Sequence, residues 1–255
     1  MVNWNDRARA AGIHLAISLV IALAAAALVF ALWYPYPYRE ISGGRELFLI
    51  LVTVDVILGP LITFAVFNRA KPRAELRRDL AFVAVLQMLA LVYGLWTVSV
   101  ARPVHLVFEI DRFRVVHGVD VPEDLLDQVP AGIELAPLGG PTLIAVRPFR
   151  DQTESANATV AALQGVQIGA RPDFWIPYEQ ARGAVQSAAR PVSQLRTRFA
   201  GNTANTAAID AAVAKTGRSI DTLVYIPVVS RKLFWTALLD QGSLAIVGFV
   251  PLDPY

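Results

Sequence analysis

Three apolar runs, at 13–33, 47–67 and 80–100, fill most of the first hundred residues, and each is about long enough to cross the ~30 Å hydrocarbon core of a bilayer as a helix. This pattern predicts an integral membrane protein: a membrane domain over 1–100 with three N-terminal transmembrane helices, then a separate domain over 101–255 that has no such run. The bulk composition agrees, with 55% hydrophobic and 17% charged residues and a mean hydropathy of +0.47.

Charge placement predicts the topology. Arg7 and Arg9 precede the first run, and Arg69, Lys71, Arg73, Arg77 and Arg78 crowd the loop between the second and third. Both segments are therefore expected on the cytoplasmic side, with the link 34–46 and everything after Val100 outside. Trp33, Tyr34, Tyr36 and Tyr38 then read as an interfacial aromatic belt. Residues 1–100 carry 9 basic and 6 acidic side chains against 14 and 15 beyond. The pI near 9.0 thus reflects membrane topology and gives no reason to expect nucleic acid as a partner. A cleaved signal peptide is the rival reading of the first run, but roughly 7 to 15 apolar residues make such a core, and here Leu28, Val29, Phe30, Leu32 and Trp33 follow the alanines. The cytoplasmic segments are too short to form a catalytic or signalling domain.

Residues 101–255 read as an α+β domain. The stretch 104–116 is rich in β-branched and aromatic residues and predicts one strand, and 143–146 another. Pro122 opens a short helix over 122–128. Ala-rich helices are expected at 159–163, 178–189 and 206–214, the second interrupted by Gly183 and ended by Pro191. Strands at 223–229, 233–239 and 243–250 close the chain, the last two joined as a hairpin across Asp240-Gln241-Gly242. With no cysteine the domain must be stable without disulfides, and thiol chemistry is excluded.

Motifs for chemistry are sparse. His14 lies at the cytoplasmic end of the first run and His105 and His117 lie outside, so no shared metal site is expected. There is no nucleophile elbow, phosphate loop or zinc-protease motif. The acidic group Glu123, Asp124 and Asp127 reads as a solvated helix face. The sequence points away from an enzyme and implies no cofactor.

Asp55 is the strongest lead. It is the one carboxylate inside the apolar runs, and helical rise from Leu47 places it roughly 12 Å below the outer boundary, too deep for a short side chain to reach water. It needs a partner within protein. Tyr93 sits at about the same depth on the third helix and is the expected one, with Gln87 and Thr97 one to two turns away. The first helix offers the small residues 22–27 at that level. Gly59-Pro60 adds a break, because Pro60 cannot donate to the carbonyl of Val56. Three roles stay open for Asp55: tying the second helix to the third, recognising a partner, or passing protons or ions.

Several segments, in order along the chain, resemble one family. They are Ala11-Gly12-Ile13-His14-Leu15; Gly43-Gly44-Arg45-Glu46-Leu47-Phe48; Val54-Asp55-Val56 with Gly59-Pro60; Ala101-Arg102-Pro103-Val104 running to Phe108-Glu109-Ile110-Asp111-Arg112-Phe113; and Pro251-Leu252-Asp253-Pro254. Together they closely resemble the TfpX/TfpZ type IV pilin accessory proteins, whereas 117–220 carries no recognised motif. The resemblance implies a multi-pass protein of the bacterial inner membrane with a cytoplasmic N-terminus and a periplasmic α+β domain. It implies a chaperone for the major type IV pilin, contacting the pilin's transmembrane helix, with the pilin head as a further contact, the lipid bilayer as its other partner and no catalytic residue. On that reading Asp55, Gly59, Pro60 and Tyr93 form the candidate partner-binding set. A membrane enzyme modifying pilin would instead draw on Arg39, Glu40, Arg45, Glu46 and Arg102, and a sensor or scaffold would use the α+β domain without pilin.

Overall fold

A computed structural model describes residues 4–255, and its contacts divide the chain into two units, meeting at Ala101 and Arg102. The first unit holds three helices long and apolar enough to cross a membrane: α1 (Trp4–Trp33), α2 (Gly44–Val66) and α3 (Arg73–Val100). α1 and α3 begin well before the apolar runs at 13 and 80. The backbone hydrogen-bond ladder does not require apolar side chains, and long basic side chains at a helix end keep their charges in water. The extension also brings Arg69 within 3.3 Å of Asp6.

Small residues allow these helices to approach closely. A Cβ on Gly44 would overlap the Tyr34 ring, and one on Gly94 would overlap the Leu51 side chain. Around them Ala25, Val29, Tyr34, Phe48, Leu51 and Val98 form one buried cluster, with the Tyr34 hydroxyl donating to the Val98 carbonyl at 3.3 Å. Tyr34 and Tyr38 are buried and only Tyr36 is well exposed, so the expected aromatic belt is largely turned inward.

The second unit is a mixed eight-stranded sheet. Its strands are β1 (Pro103–Glu109), β2 (Arg112–His117), β3 (Thr142–Val146), β4 (Trp175–Pro177), β5 (Arg190–Pro191), β6 (Leu223–Val229), β7 (Phe234–Asp240) and β8 (Ile246–Val250). The order is β4-β3-β1-β2-β6-β7-β8, with β5 pairing β6 off this path. β1–β3 and β2–β6 are parallel and the other pairs antiparallel. All seven residues of β1 are buried, as befits a strand with neighbours on both edges.

The helices of this unit are α4 (Gln152–Leu163), α5 (Arg182–Ala188), α6 (Val192–Arg198) and α7 (Thr203–Thr216). Val192 and Leu195 of α6 and Ile209 and Ala212 of α7 pack on Leu223, Tyr225, Leu238 and Val250 of the sheet. A second cluster joins Val104, Val107, Val116, Ile144, Ala170 and Trp175. α7 starts where the Asn202 side chain accepts the amides of Ala204 and Asn205, and it stops at Gly217, φ 67°.

Several expectations are corrected. The single strand over 104–116 is a hairpin that reverses at Ile110-Asp111, with Ile110 at φ 56°. No glycine or asparagine marks that turn, and a β-branched residue rarely takes a left-handed conformation. The helix over 178–189 is a tight 3-10 turn, Tyr178–Ala181, followed by α5, and Gly183 lies inside α5 rather than breaking it. The helix over 122–128 is a 3-10 segment, Glu123–Gln128, preceded by Pro122 as its cap; Glu123, Asp124 and Asp127 are exposed. β8 starts only at Ile246 because Leu244, φ 58°, extends the turn after β7. β4, β5 and α6 had no expectation at all. They are three, two and seven residues long, too short for side-chain periodicity to reveal.

Candidate functional site

The site begins with the way α2 is wound. From Gly44 to Thr53 it is an α-helix, from Val54 to Leu58 the turns widen to an i→i+5 pattern, and from Gly59 to Val66 it is an α-helix again. In the wide pattern the acceptor facing position 60 is the carbonyl of Asp55, and Pro60 has no N–H to give it. The widening thus moves the expected break from Val56 to Asp55. The Gln87 side chain of α3 fills the vacancy, its Nε2 donating to the Asp55 carbonyl at 3.2 Å. Gly59 makes this reach possible, since a Cβ there would overlap the Gln87 amide.

The buried positions of α2, among them Phe48, Leu51, Asp55, Gly59 and Thr63, recur every three or four residues and form one face. Asp55 is only 8% exposed. Its carboxylate makes no hydrogen bond to any described residue, and Oδ1 is buried without a partner. Eight positions on, Thr63 Oγ1 is hydrogen-bonded to His14 Nδ1 at 2.5 Å.

Asp55, Thr63 and Phe67 form the floor of a cleft of about 500 Å³ within the first unit. One wall is α1, through Ile13, His14, Ile17, Ser18 and Ile21; the other is α3, through Leu80, Ala84, Gln87, Met88 and Leu91. The cleft is largely apolar, with a carboxylate, an imidazole, an amide and two hydroxyls set into it.

This geometry gathers some of the expected residues and separates another. Asp55, Gly59 and Pro60 lie together on the buried face of α2. Tyr93 does not join them: it is 68% exposed, and its ring lies against Trp96 with centroids 5.9 Å apart. Similar depth was not sufficient, because six residues from Gln87 to Tyr93 turn the helix by roughly 600°, about a third of a turn away from the face that meets α2. α1 contributes Ile13 to Ile21 to the cleft rather than the small residues 22–27, of which Ala25 packs in the cluster around Tyr34. His14 is accordingly a mid-helix group. Its signal in the sequence was a second polar residue, Ser18, one turn along the same face.

Of the rival polar set, Arg39, Glu40, Arg45 and Glu46 lie at the surface and Arg102 does not. Glu40 lies 3.6 Å from Arg39 and 3.5 Å from Arg45, all at least partly exposed. Arg102 is buried in the sheet unit, its Nη2 donating to the Ala136 carbonyl at 3.0 Å.

Two polar clusters of the sheet unit escaped sequence reading. Glu109 at the end of β1 accepts from Arg114 Nε at 2.5 Å and from the Gly169 amide at 2.7 Å, pinning a loop to the first hairpin. His117 Nδ1 lies 3.0 Å from Asp120 Oδ2, and Asp120 also pairs with Arg231. Burial raises the Asp120 pKa, but hydrogen bonds from His117 and Arg231 outweigh it and hold the carboxyl at about 2. Among the described residues no three His, Asp or Glu side chains are grouped to hold a metal ion.

Comparison with known proteins gives a consistent picture. The model of the fimbrial assembly protein FimB family matches residues 2–43, a span that includes the α1 wall of the cleft. The fimbrial assembly protein of serogroup E1 from Dichelobacter nodosus is 32% identical over 249 residues, covering 97% of this chain and 96% of that protein. The serogroup I protein matches over the same extent at 32% identity. The protein of serogroups C1 and C2 is 39% identical over 123 residues, 48% of this chain and 92% of that protein. These relatives are named for fimbrial assembly, and none bears the TfpX or TfpZ name. No solved structure matches the chain significantly.

Proposed function

Because the chain belongs to the fimbrial assembly protein family, we propose that it is a non-enzymatic accessory factor of pilus assembly. In this reading it binds and stabilises the membrane-resident major pilin before the subunit is polymerised. The three apolar helices lie in the bacterial inner membrane, the N-terminus and the α2–α3 loop are cytoplasmic, and the sheet unit is periplasmic. The TfpX/TfpZ resemblance is what supports the chaperone role.

The observation that carries the reading is the cleft over Asp55. A carboxylate held against an apolar cleft, with no hydrogen bond from any described residue, is poorly suited to holding helices together and well suited to meeting a second molecule. Gly59 and Pro60 shape that floor by forcing the wide turn. Tyr93 offers a second contact on the opposite face of α3. The exposed charges near Glu40, which a modifying enzyme would draw on, already pair with one another.

The test is deletion of the gene in a piliated strain. Surface pili should fall because pilin is less abundant or less assembled, while the covalent mass of the remaining pilin stays the same, since binding acts by mass action on the native subunit. A mass change in pilin that depends on this protein would favour a modifying enzyme instead.

A further inference from the structure

We infer that the cleft between α1 and α3 seats one transmembrane helix of the pilin, and that this helix presents a hydrogen-bond donor to the Asp55 carboxylate, which lines the cleft. The inference rests on the function proposed above and names the site and chemistry of the contact. Its first support is shape. Ile13, Ile17 and Ile21 repeat every four residues along one wall, and Leu80, Ala84 and Leu91 recur at helical spacing along the other. The eleven steps from Leu80 to Leu91 of α3 span about 16 Å, or three turns. Two helix faces that rest on α2 with a trough between them have the form of a four-helix bundle lacking one member.

The second support is chemistry. Asp55 lines the cleft and no described residue donates to its Oδ1; hydrocarbon offers a carboxylate nothing, so an occupant lacking a donor leaves it poorly solvated. A lipid acyl chain brings no donor. A second copy of this chain is less suitable. The hydroxyls of Thr53 and Thr97 already donate to the carbonyls of Leu49 and Tyr93, and Tyr93 lies nine residues, about half a turn out of phase, from the wall residue Ala84. A two-fold pair would require α3 to turn opposite faces to the same neighbour.

The test is photocrosslinking in the membranes of cells that make pilin, with the full-length protein carrying benzoylphenylalanine at Ile17 on the wall or at Leu89, 63% exposed, outside it. Adducts are mapped by mass spectrometry. The Ile17 adduct should map to the pilin membrane helix, and Leu89 should give little of it. Asp55→Leu should lower the Ile17 adduct by roughly tenfold at unchanged abundance, while Asp55→Asn, which keeps an acceptor, should largely retain it. Ala84→Trp, which fills the trough and leaves Asp55 intact, should abolish the adduct even if the Leu variant is poorly produced. Adducts from Ile17 only to lipid or to a second copy of this chain overturn the inference, as does a pilin adduct unaffected by Ala84→Trp. Pilin captured from the sheet unit but never from Ile17 rejects the cleft and leaves the proposed function standing. No pilin adduct from any position, together with normal piliation after deletion, rejects both.

Discussion

At the scale of single residues, the sheet unit contains a group that makes its stability sensitive to acid. His105 is fully buried in β1, with Nδ1 2.7 Å from Thr142 Oγ1 and its ring edge-on to Trp175 at 4.6 Å. Burial disfavours the imidazolium and pushes the pKa from 6.5 down to about 4. Between those values the unfolded chain holds more protons than the folded one, so stability falls as pH drops from 6.5 towards 4, by up to about 3 kcal/mol, and His105 adds nothing further below 4. Asp120 continues the trend with the same sign. Its carboxyl, held at about 2, contributes stability above the ordinary carboxylate range that is lost as pH falls from about 4 to 2. Amide exchange in β1 and β3 of the full-length protein should therefore quicken steadily from pH 6.5 to 4, after correction for intrinsic rates. His105→Gln should flatten that window and leave the one below 4 unchanged. A slope that persists in the variant would assign the effect to another group.

At the scale of elements, α2 is held in its irregular winding by three residues acting together. Pro60 withholds a hydrogen, Gln87 supplies one, and Gly59 leaves room for the amide to arrive. Gly59→Ala tests which effect wins. Helix propensity favours alanine by about 1 kcal/mol. The overlap with Gln87 costs roughly 1–3 kcal/mol, and loss of its hydrogen bond about 1 kcal/mol more. The variant should be destabilised by about 1–3 kcal/mol in detergent unfolding. In a Gln87→Ala background the same substitution should become neutral or stabilising, because the overlapping atoms are gone. An equal cost in both backgrounds would show that Gly59 is needed for another reason. The β1–β2 hairpin shows a comparable dependence on its surroundings. Its turn places Ile110 at positive φ between two strands whose side chains, Phe108 and Phe113 among them, are buried; strand pairing and burial determine the reversal against local preference.

At the scale of the whole molecule, Arg69 and Lys71 of the α2–α3 loop, Arg73, Arg77 and Arg78 at the start of α3 and Arg7 and Arg9 at the start of α1 set the proposed orientation. A reporter active only in the periplasm should be active when fused after Tyr255 and silent when fused near Lys71. The reverse pattern would sink the proposed topology and, with it, a pilin contact by the sheet unit on the periplasmic side.

The sequence by itself determined the features that depend on local composition. Three helices follow from the number of consecutive apolar residues, and β6 over Leu223–Val229 from a run of β-branched and aromatic side chains. Asp55, Gly59 and Pro60 were legible because a charge and a helix breaker are conspicuous in an apolar run. The tertiary structure decided what depends on rotation and on contacts between distant segments. Whether Tyr93 or Gln87 faces α2 is a matter of helical phase, which a count of depth does not contain. The approach of His14 to Thr63 requires α1 and α2 to pack side by side, and the Glu109–Gly169 contact joins residues sixty positions apart. The reversal at Ile110, contrary to its own preference, follows from strand pairing on both sides of the turn. Apolar content and breakers act over a few neighbouring residues and are written along the chain. A cleft needs three helix faces in register, and that relation exists only once the helices are packed.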